Sequence, residues 1–221
     1  MDRGFTLIEI LIAVLIFGGL MTTLFTSFQS FIFSSTAVNQ GLIQDERIRT
    51  LLGHLERDLG TLYITRPPRY KKPESISDPD PFSFQGTQES IDGTLVSRLG
   101  FASLSHLSLG KKEIPGVARI VYYARSNDDN KIDLCRADTL RPYDAPKERS
   151  CDPVLVRNIS GFDLTYVDGE GDEHSDWDSE SDTVKYTVPV SVKFKITLNT
   201  DDAPRIVETQ IALPVSREAM D

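Results

Sequence analysis

One long stretch of this 221-residue chain lacks charge altogether, because no Asp, Glu, Lys or Arg occurs between Ile10 and Gln44. Its apolar part, from Ile10 to about Phe28, would extend about 28 Å as a helix, close to the hydrocarbon thickness of a bilayer. Of the net charge of −9, residues 45–221 carry −8. The sequence therefore predicts a membrane-spanning helix followed by a charged, folded body.

Cysteine and histidine are scarce, with two and three copies respectively. No C-x-x-C pair occurs, and His54, His106 and His174 stand at no ligand spacing, which argues against a structural zinc site. Cys135 and Cys151 are close enough in sequence to form a disulfide in an oxidising compartment. Two reduced cysteines fit the same spacing, so both alternatives stay open.

Familiar signatures of catalysis are also missing. The sequence contains no Gly-rich phosphate loop, no G-x-S-x-G elbow and no H-E-x-x-H helix. The negative net charge argues against nucleic acid as a partner, because phosphate binding needs a basic surface. We expect neither an enzyme nor a nucleic-acid-binding protein.

Glu9 interrupts the apolar N-terminal run, and a carboxylate at membrane depth costs about 2.5–3.5 kcal/mol. If the chain is cut between Gly4 and Phe5, the new α-amine of Phe5 lies one helical turn from Glu9. That amine, or the amine of a neighbouring subunit, can then neutralise the carboxylate. Alternatively, Glu9 reaches the headgroups at the membrane surface.

Beyond the uncharged stretch, an amphipathic pattern predicts that the helix continues. Apolar residues recur mostly at spacings of three and four, and charged residues fill the other sides. Pro67-Pro68 prevents further continuation. We predict a membrane-spanning helix over residues 5–33, the amphipathic half of the same helix over 34–65 and a β-rich head over 66–221. The apolar face consists of Leu42, Ile48, Leu51, Leu52, Leu55, Leu59 and Leu62.

Alternating apolar and polar residues predict strands in the second half of the chain. One hairpin is predicted around Asn127–Asn130, and another around Asp201–Pro204. The fold class is therefore α+β, with a long N-terminal hydrophobic helix packed on the antiparallel sheet or sheets of a globular head. The predicted strands cover 95–104, 118–125, 131–137, 162–166, 190–198 and 207–213.

The N-terminus reads Arg3-Gly4-Phe5-Thr6-Leu7-Ile8-Glu9, and a continuous apolar run follows. This segment resembles the prepilin signal that type IV pilins share with the pseudopilins of type II secretion, and the resemblance implies a pilin-like fold. It implies cleavage between Gly4 and Phe5 by the prepilin peptidase, which removes residues 1–4 as a leader peptide, and N-methylation of Phe5. It also implies that Glu9 pairs with a neighbour's N-terminus during filament assembly.

Three further features lie along the chain: Glu56-Arg57-Asp58-Leu59 at the helix end, a late segment from Val156 to Asp168 and a final pair of strands. Together they resemble the J-type minor pseudopilins of type II secretion. The late segment matches that subclass at Val156, Ile159, Gly161, Phe162, Leu164, Tyr166 and Asp168.

This second resemblance implies a structural subunit that joins I-type and K-type minor pseudopilins, and other pseudopilins, at the tip of the pseudopilus. Such a subunit crosses the bacterial inner membrane once, holds its head in the periplasm and supports the export of secreted proteins. A minor pilin of a type IV pilus or DNA-uptake filament is the alternative, because the N-terminus does not separate the two.

An acidic stretch, residues 168–182, carries eight acidic side chains, and clustered carboxylates are ligands that calcium prefers. The EF-hand loop pattern is absent, however, and a solvated hairpin tip explains the same composition. No other cofactor is suggested by the sequence. The calcium candidates are Asp168, Glu170, Asp172, Asp176 and Asp178.

Overall fold

The computed structural model describes residues 7–72, 80–106, 116–140, 148–199 and 203–220. These residues form one helix, α1 (Leu7–Gly60), followed by β-strands. The chain divides into two compact units, residues 1–48 and 49–221, which we describe separately. The predicted α+β, pilin-like class is confirmed, because an apolar N-terminal helix precedes a curled antiparallel sheet.

Helix α1 ends at Gly60, earlier than the predicted limit at residue 65. Glycine is a poor helix former, and both the backbone N–H and the hydroxyl of Thr61 donate to the Arg57 carbonyl, at 3.1 and 2.9 Å. Leu62 was expected on the apolar face of the helix. It lies instead in a short strand, β1 (Leu62–Tyr63), opposite Ser103.

The head is built on one ten-stranded sheet among the described residues, and every pairing in it is antiparallel. After β1, the strands are β2 (Gln85–Ile91), β3 (Thr94–Ser103), β4 (Ala118–Ser126), β5 (Ile132–Leu140), β6 (Val154–Val167), β7 (Glu173–His174), β8 (Trp177–Asp178), β9 (Ser191–Leu198) and β10 (Arg205–Ala212). Their order is β10-β9-β6-β5-β4-β3-β2-β8, with β1 beside β3 and β7 beside β6.

Both predicted hairpins are confirmed. Strands β4 and β5 pair from Ala118 opposite Leu140 to Ser126 opposite Ile132. Their turn is held by Asn127, whose side-chain oxygen accepts the N–H groups of Asp129 and Lys131, both at 3.0 Å. Strands β9 and β10 pair without interruption over their full length.

Strands β2 and β8 were not predicted. The residues of β2, Gln-Gly-Thr-Gln-Glu-Ser-Ile, show no apolar alternation, and the strand forms through its pairing with β3. β8 lies inside the acidic stretch, where Trp177 is buried and stands opposite Gly86 of β2. The expectation of a solvated hairpin tip is therefore wrong for this part of the stretch, because an indole ring anchors it in the core.

Within the second unit, the helix contributes Leu51, Leu55 and Leu59 to the core, and all three are fully buried. Aromatic rings fill much of the remaining interior and contact one another in series. The ring centroids are 6.3 Å apart for Tyr122–Phe101, 6.1 Å for Phe101–Phe84, 6.0 Å for Phe84–Tyr166 and 6.4 Å for Tyr166–Trp177.

Candidate functional site

The N-terminal segment Leu7–Gln29 is, among the described residues, the helical segment long and apolar enough to cross a membrane. Its mean hydropathy is 2.3, and none of it is buried in the protein. Large side chains such as Leu15 and Phe25 are more than half exposed. Exposed apolar side chains over such a length need lipid or other apolar helices around them.

Glu9 lies in the first described turn of α1 and is exposed among these apolar side chains. A negative charge is favourable in the first turn of a helix, because the N-terminal end of the helix dipole is positive. Gly4 and Phe5, between which cleavage is predicted, lie outside the described residues.

At the other end of α1, Asp58 anchors the helix to the sheet. Its carboxylate accepts hydrogen bonds from Arg136 Nε at 2.7 Å and Nη2 at 3.2 Å, from the Tyr122 hydroxyl at 2.6 Å and from the Ser105 hydroxyl at 2.6 Å. The Ser103 hydroxyl donates to the backbone carbonyl of Asp58 at 2.8 Å. We call these five residues the Asp58 cluster.

Burial makes the Asp58 cluster electrostatically strong. Asp58 and Arg136 are each only 1% exposed, so water screens their attraction little. Burial alone would lower the pKa of Arg136, but the hydrogen bonds and charge of Asp58 outweigh burial and raise it. Burial, followed by the charge of Asp58, raises the pKa of Tyr122, so this hydroxyl stays protonated and donates.

A second acid extends the Asp58 cluster towards the protein surface. Arg136 Nη1 donates to Asp138 at 3.0 Å, and the other oxygen of Asp138 lies 2.7 Å from His106 Nδ1. His54, one turn before Asp58 on α1, has a lowered pKa because of burial and the nearby positive charge of Arg136. Its Nδ1 atom is buried and has no hydrogen-bond partner among the described residues.

In the sequence, Asp58 stands out only within the Glu56–Leu59 resemblance, and its partners are not predicted from it. A signal was present, since Asp58 lies next to Leu59 and within one turn of Leu55, both on the apolar face. An acid so close to the buried face of a helix indicates a buried partner. That partner, Arg136, lies far along the chain, and only the position of β5 brings it to the helix.

The two cysteines are free thiols, and the disulfide left open by the sequence is not formed. Strand β5 places Cys135 in an apolar cluster with Val121, Tyr123 and Ala137, whereas Cys151 is exposed in the connection before β6. Burial raises the pKa of the Cys135 thiol to about 11, so the reactive thiolate form is disfavoured.

The calcium candidates lie along the turn after β6 and around β7 and β8. Asp168 already accepts the N–H groups of Glu170 and Asp172, both at 2.9 Å, and pairs with His174 at 3.0 Å. The hydrogen bond with His174 is the main reason that the pKa of Asp168 is lowered. Among the described residues, no group of three or more His, Cys, Asp or Glu side chains is arranged to hold a metal ion. The five candidates therefore have no shared ligand geometry.

A family comparison agrees with the exposed apolar helix. Residues 1–25 match the family model described as the prokaryotic N-terminal methylation motif, and the match spans Gly4, Phe5 and Glu9. The motif indicates a type IV pilin-like or pseudopilin protein. It supports a prepilin signal and N-terminal methylation, and the apolar helix is consistent with a single membrane anchor. No curated protein matches the chain.

Proposed function

We propose that this chain is a structural minor pseudopilin of type II secretion, part of the tip complex that initiates the pseudopilus and supports protein export. The observation that carries the proposal is the exposed apolar segment Leu7–Gln29, which contains Glu9 and coincides with the matched methylation motif. The J-type assignment rests on the resemblance of Glu56–Leu59 and Val156–Asp168 to that subclass.

The proposed mechanism uses the N-terminal helix twice. It first anchors the subunit in the inner membrane, and after processing it becomes part of the apolar core of the filament. Glu9, which is costly in an apolar core, pairs with the N-terminal amine of a neighbouring subunit and sets the axial position of the helix. The Asp58 cluster keeps the end of the helix attached to the head, so that the head follows the helix into the filament.

The partners in this proposal are I-type and K-type minor pseudopilins, the other pseudopilins, the prepilin peptidase and, at the assembled tip, secreted proteins. The head would lie in the periplasm. We propose a non-enzymatic role without nucleic acid, in which partner choice depends on the surface of the head.

Co-purification tests the assignment. The full-length chain, tagged at its C-terminus and extracted in detergent, is expected to co-purify with co-expressed I-type and K-type minor pseudopilins as a ternary complex. A Leu95→Ser variant, altered at an exposed apolar residue of the head, serves as a control for general surface stickiness. Retention of minor pilins of a type IV pilus, with no retention of either pseudopilin, would favour the alternative filament and contradict the proposal.

Processing is tested independently. In cells that contain the prepilin peptidase, mass spectrometry should find N-methylated Phe5 as the first residue. Replacement of Gly4 by Leu should block cleavage, because the peptidase cuts after this glycine in the resembling signals. A wild-type protein that keeps Met1–Gly4 would contradict the prepilin assignment.

A further inference from the structure

Two carboxylates from distant parts of the sequence lie on neighbouring segments at the β8 end of the sheet. Asp80 lies five residues before the start of β2, and Glu180 lies two residues after the end of β8. Pairing of Gln85 with Asp178 and of Gly86 with Trp177 brings these two segments together. The Ser179 N–H also donates to the Phe84 carbonyl at 3.0 Å, which fixes the backbone next to Glu180.

Each of these carboxylates has one satisfied and one unsatisfied oxygen. Glu180 Oε1 accepts from Arg217 and from the Tyr70 hydroxyl, both at 3.3 Å, while Asp80 Oδ1 accepts from the Phe82 N–H at 3.0 Å and the Thr65 hydroxyl at 3.3 Å. Glu180 Oε2 and Asp80 Oδ2 are buried and have no hydrogen-bond partner among the described residues. The side chain of Glu180 is only 7% exposed. A buried carboxylate oxygen without a hydrogen bond costs free energy, and a bound cation, a water molecule or a proton on that oxygen would each lower the cost.

Two nearby arginines do not donate to the unsatisfied oxygens. Arg217 donates to the backbone carbonyls of Tyr186, Ser179 and Thr65 as well as to Glu180 Oε1. Its guanidinium also lies 3.7 Å from the centre of the Tyr70 ring. Arg119, whose pKa is lowered by burial and raised less strongly by the negative charge of Asp80, donates to Ser83 and Gln85.

The electrostatics of the pair favour a bound cation. Burial, and then the negative charge of Asp80, raise the pKa of Glu180 despite the opposing charge of Arg217. The rise shows that the negative charge of Asp80 acts on Glu180 even though Arg217 forms an ion pair with Glu180 at 3.3 Å, and a cation that contacts both carboxylates would reduce the repulsion further. The free donor atoms are carboxylate oxygens, which are hard ligands and select hard cations over soft metals.

We propose that Asp80 Oδ2 and Glu180 Oε2 bind one hard divalent cation, Ca²⁺ or Mg²⁺, with water in the remaining coordination positions. This inference goes beyond the proposed function and differs from the calcium candidates of the acidic stretch, whose side chains are mostly exposed. Sites with one or two protein carboxylates and several waters are common for Mg²⁺, and Ca²⁺ accepts a wider range of geometries. Such a cation would join the loop before β2 to the segment after β8, next to the C-terminal segment that Arg217 holds.

Calorimetry on the full-length chain in detergent tests this site. After removal of metals with EDTA, Ca²⁺ and Mg²⁺ are titrated separately, and the melting temperature Tm of the head is measured with and without each ion. We expect one ion bound per chain and a rise in Tm, because a ligand that binds only the folded state stabilises it. Glu180→Gln and Asp80→Asn should each weaken binding about tenfold or more and remove the rise in Tm.

Asp176→Asn is the matched control, since it removes an exposed carboxylate of the acidic stretch. It should bind the ion as the wild type does. An unchanged wild-type Tm with both ions would overturn the proposal whatever the variants do. So would a cation effect that is lost in Asp176→Asn but kept in Glu180→Gln and Asp80→Asn. A third result would also contradict the proposal: neither ion changes the Tm of the wild type, and Glu180→Gln is more stable than the metal-free wild type. That result would show that the two carboxylates share a proton instead of a cation.

Discussion

At the scale of single residues, the Asp58–Arg136 pair is the strongest constraint on how the helix meets the sheet. Each buried charge has lost its hydration, and only the partner and the surrounding hydroxyls compensate for the loss. Such a pair adds little net stability compared with apolar residues of the same volume. It does oppose any other placement of the helix end, since displacement would leave both charges unpaired.

We expect Asp58→Asn to destabilise the head by about 3–5 kcal/mol, because it leaves the Arg136 charge buried without its counter-ion. The free energy of unfolding, measured by urea denaturation of the full-length chain in detergent, checks this value. Glu208→Gln is the control, since the Glu208–Lys195 pair is exposed and should contribute about 0–1 kcal/mol.

The double variant Asp58→Leu with Arg136→Met separates pairing from burial. It removes both charges and should recover much of the stability lost in Asp58→Asn. If Asp58→Asn has the same free energy of unfolding as the wild type, the ion pair does not fix the end of the helix against the sheet.

His54 makes the head sensitive to acid. Burial, followed by the charge of Arg136, lowers its pKa below the ordinary value of 6.5. A base with a depressed folded pKa binds its proton more readily in the unfolded chain, so stability falls as the pH drops from 6.5 towards the folded pKa. His54→Gln should flatten the dependence of Tm on pH between about pH 7 and pH 5. Gln88→Ser, at an exposed and uncharged residue of β2, is the control, and equal flattening by both variants would contradict the assignment to His54.

At the scale of elements, the Tyr166 ring of β6 lies so close to the backbone of β2 that residue 86 has no room for a side chain unless the ring moves. A Cβ atom on Gly86 would overlap the hydroxyl end of the Tyr166 ring, and that hydroxyl is itself buried without a partner among the described residues. The ring fills the space above the backbone of β2, next to Phe84 and Trp177.

Gly86→Ala is therefore expected to lower the free energy of unfolding by about 1–3 kcal/mol, because the Tyr166 ring must move out of its packed position. Gly169→Ala, where an added Cβ meets no atom within 4 Å, should change stability by about 0.5 kcal/mol or less. The same denaturation experiment compares the two variants. Equal changes in the free energy of unfolding at both positions would show that the close contact between Gly86 and Tyr166 does not restrict the side chain at residue 86.

Helices and strands with a periodic pattern of apolar and polar side chains were predictable from the sequence. Strands that form only because a neighbouring strand pairs with them were not. The run Val192, Phe194, Ile196 and Leu198 buries every second residue, so β9 and its hairpin partner follow from period-two patterning. Strand β2 has no such pattern because its side chains are largely polar and only its pairing with β3 defines it. The helix end was predicted to within about one turn. Pro67-Pro68, which prevents the helix from continuing, can be read from the sequence. The pairing of Leu62 with Ser103, which takes Leu62 into a strand, cannot.

At the scale of the whole molecule, the chain combines a helix suited to an apolar environment with a head suited to water. The exposed segment Leu7–Gln29 has one acidic residue, Glu9, and the surface of the head carries most of the protein's charge. If the helix moves from lipid into a filament, Glu9 must find a positive partner there, because an unpaired carboxylate is costly in both places.

Glu9→Ala should impair incorporation into the filament and leave the head folded, and Glu9→Asp should act as the conservative control with partial incorporation. Cross-linking to neighbouring subunits in cells measures incorporation, while the Tm of the purified variants reports on folding. Normal protein secretion together with unchanged cross-links in Glu9→Ala would contradict the charge-pair mechanism.

The sequence by itself determined the contrast between an apolar N-terminal helix and a charged head, and most of the elements of each. Absence of charge from Ile10 to Gln44, the motif that contains Gly4, Phe5 and Glu9, and the alternating strands are local patterns, and local patterns are readable without a fold. Only the tertiary structure decided which polar groups are buried together. The Asp58–Arg136 pair, the Asp80 and Glu180 carboxylates and the separation of Cys135 from Cys151 depend on strand order and register, which join residues far apart in the chain.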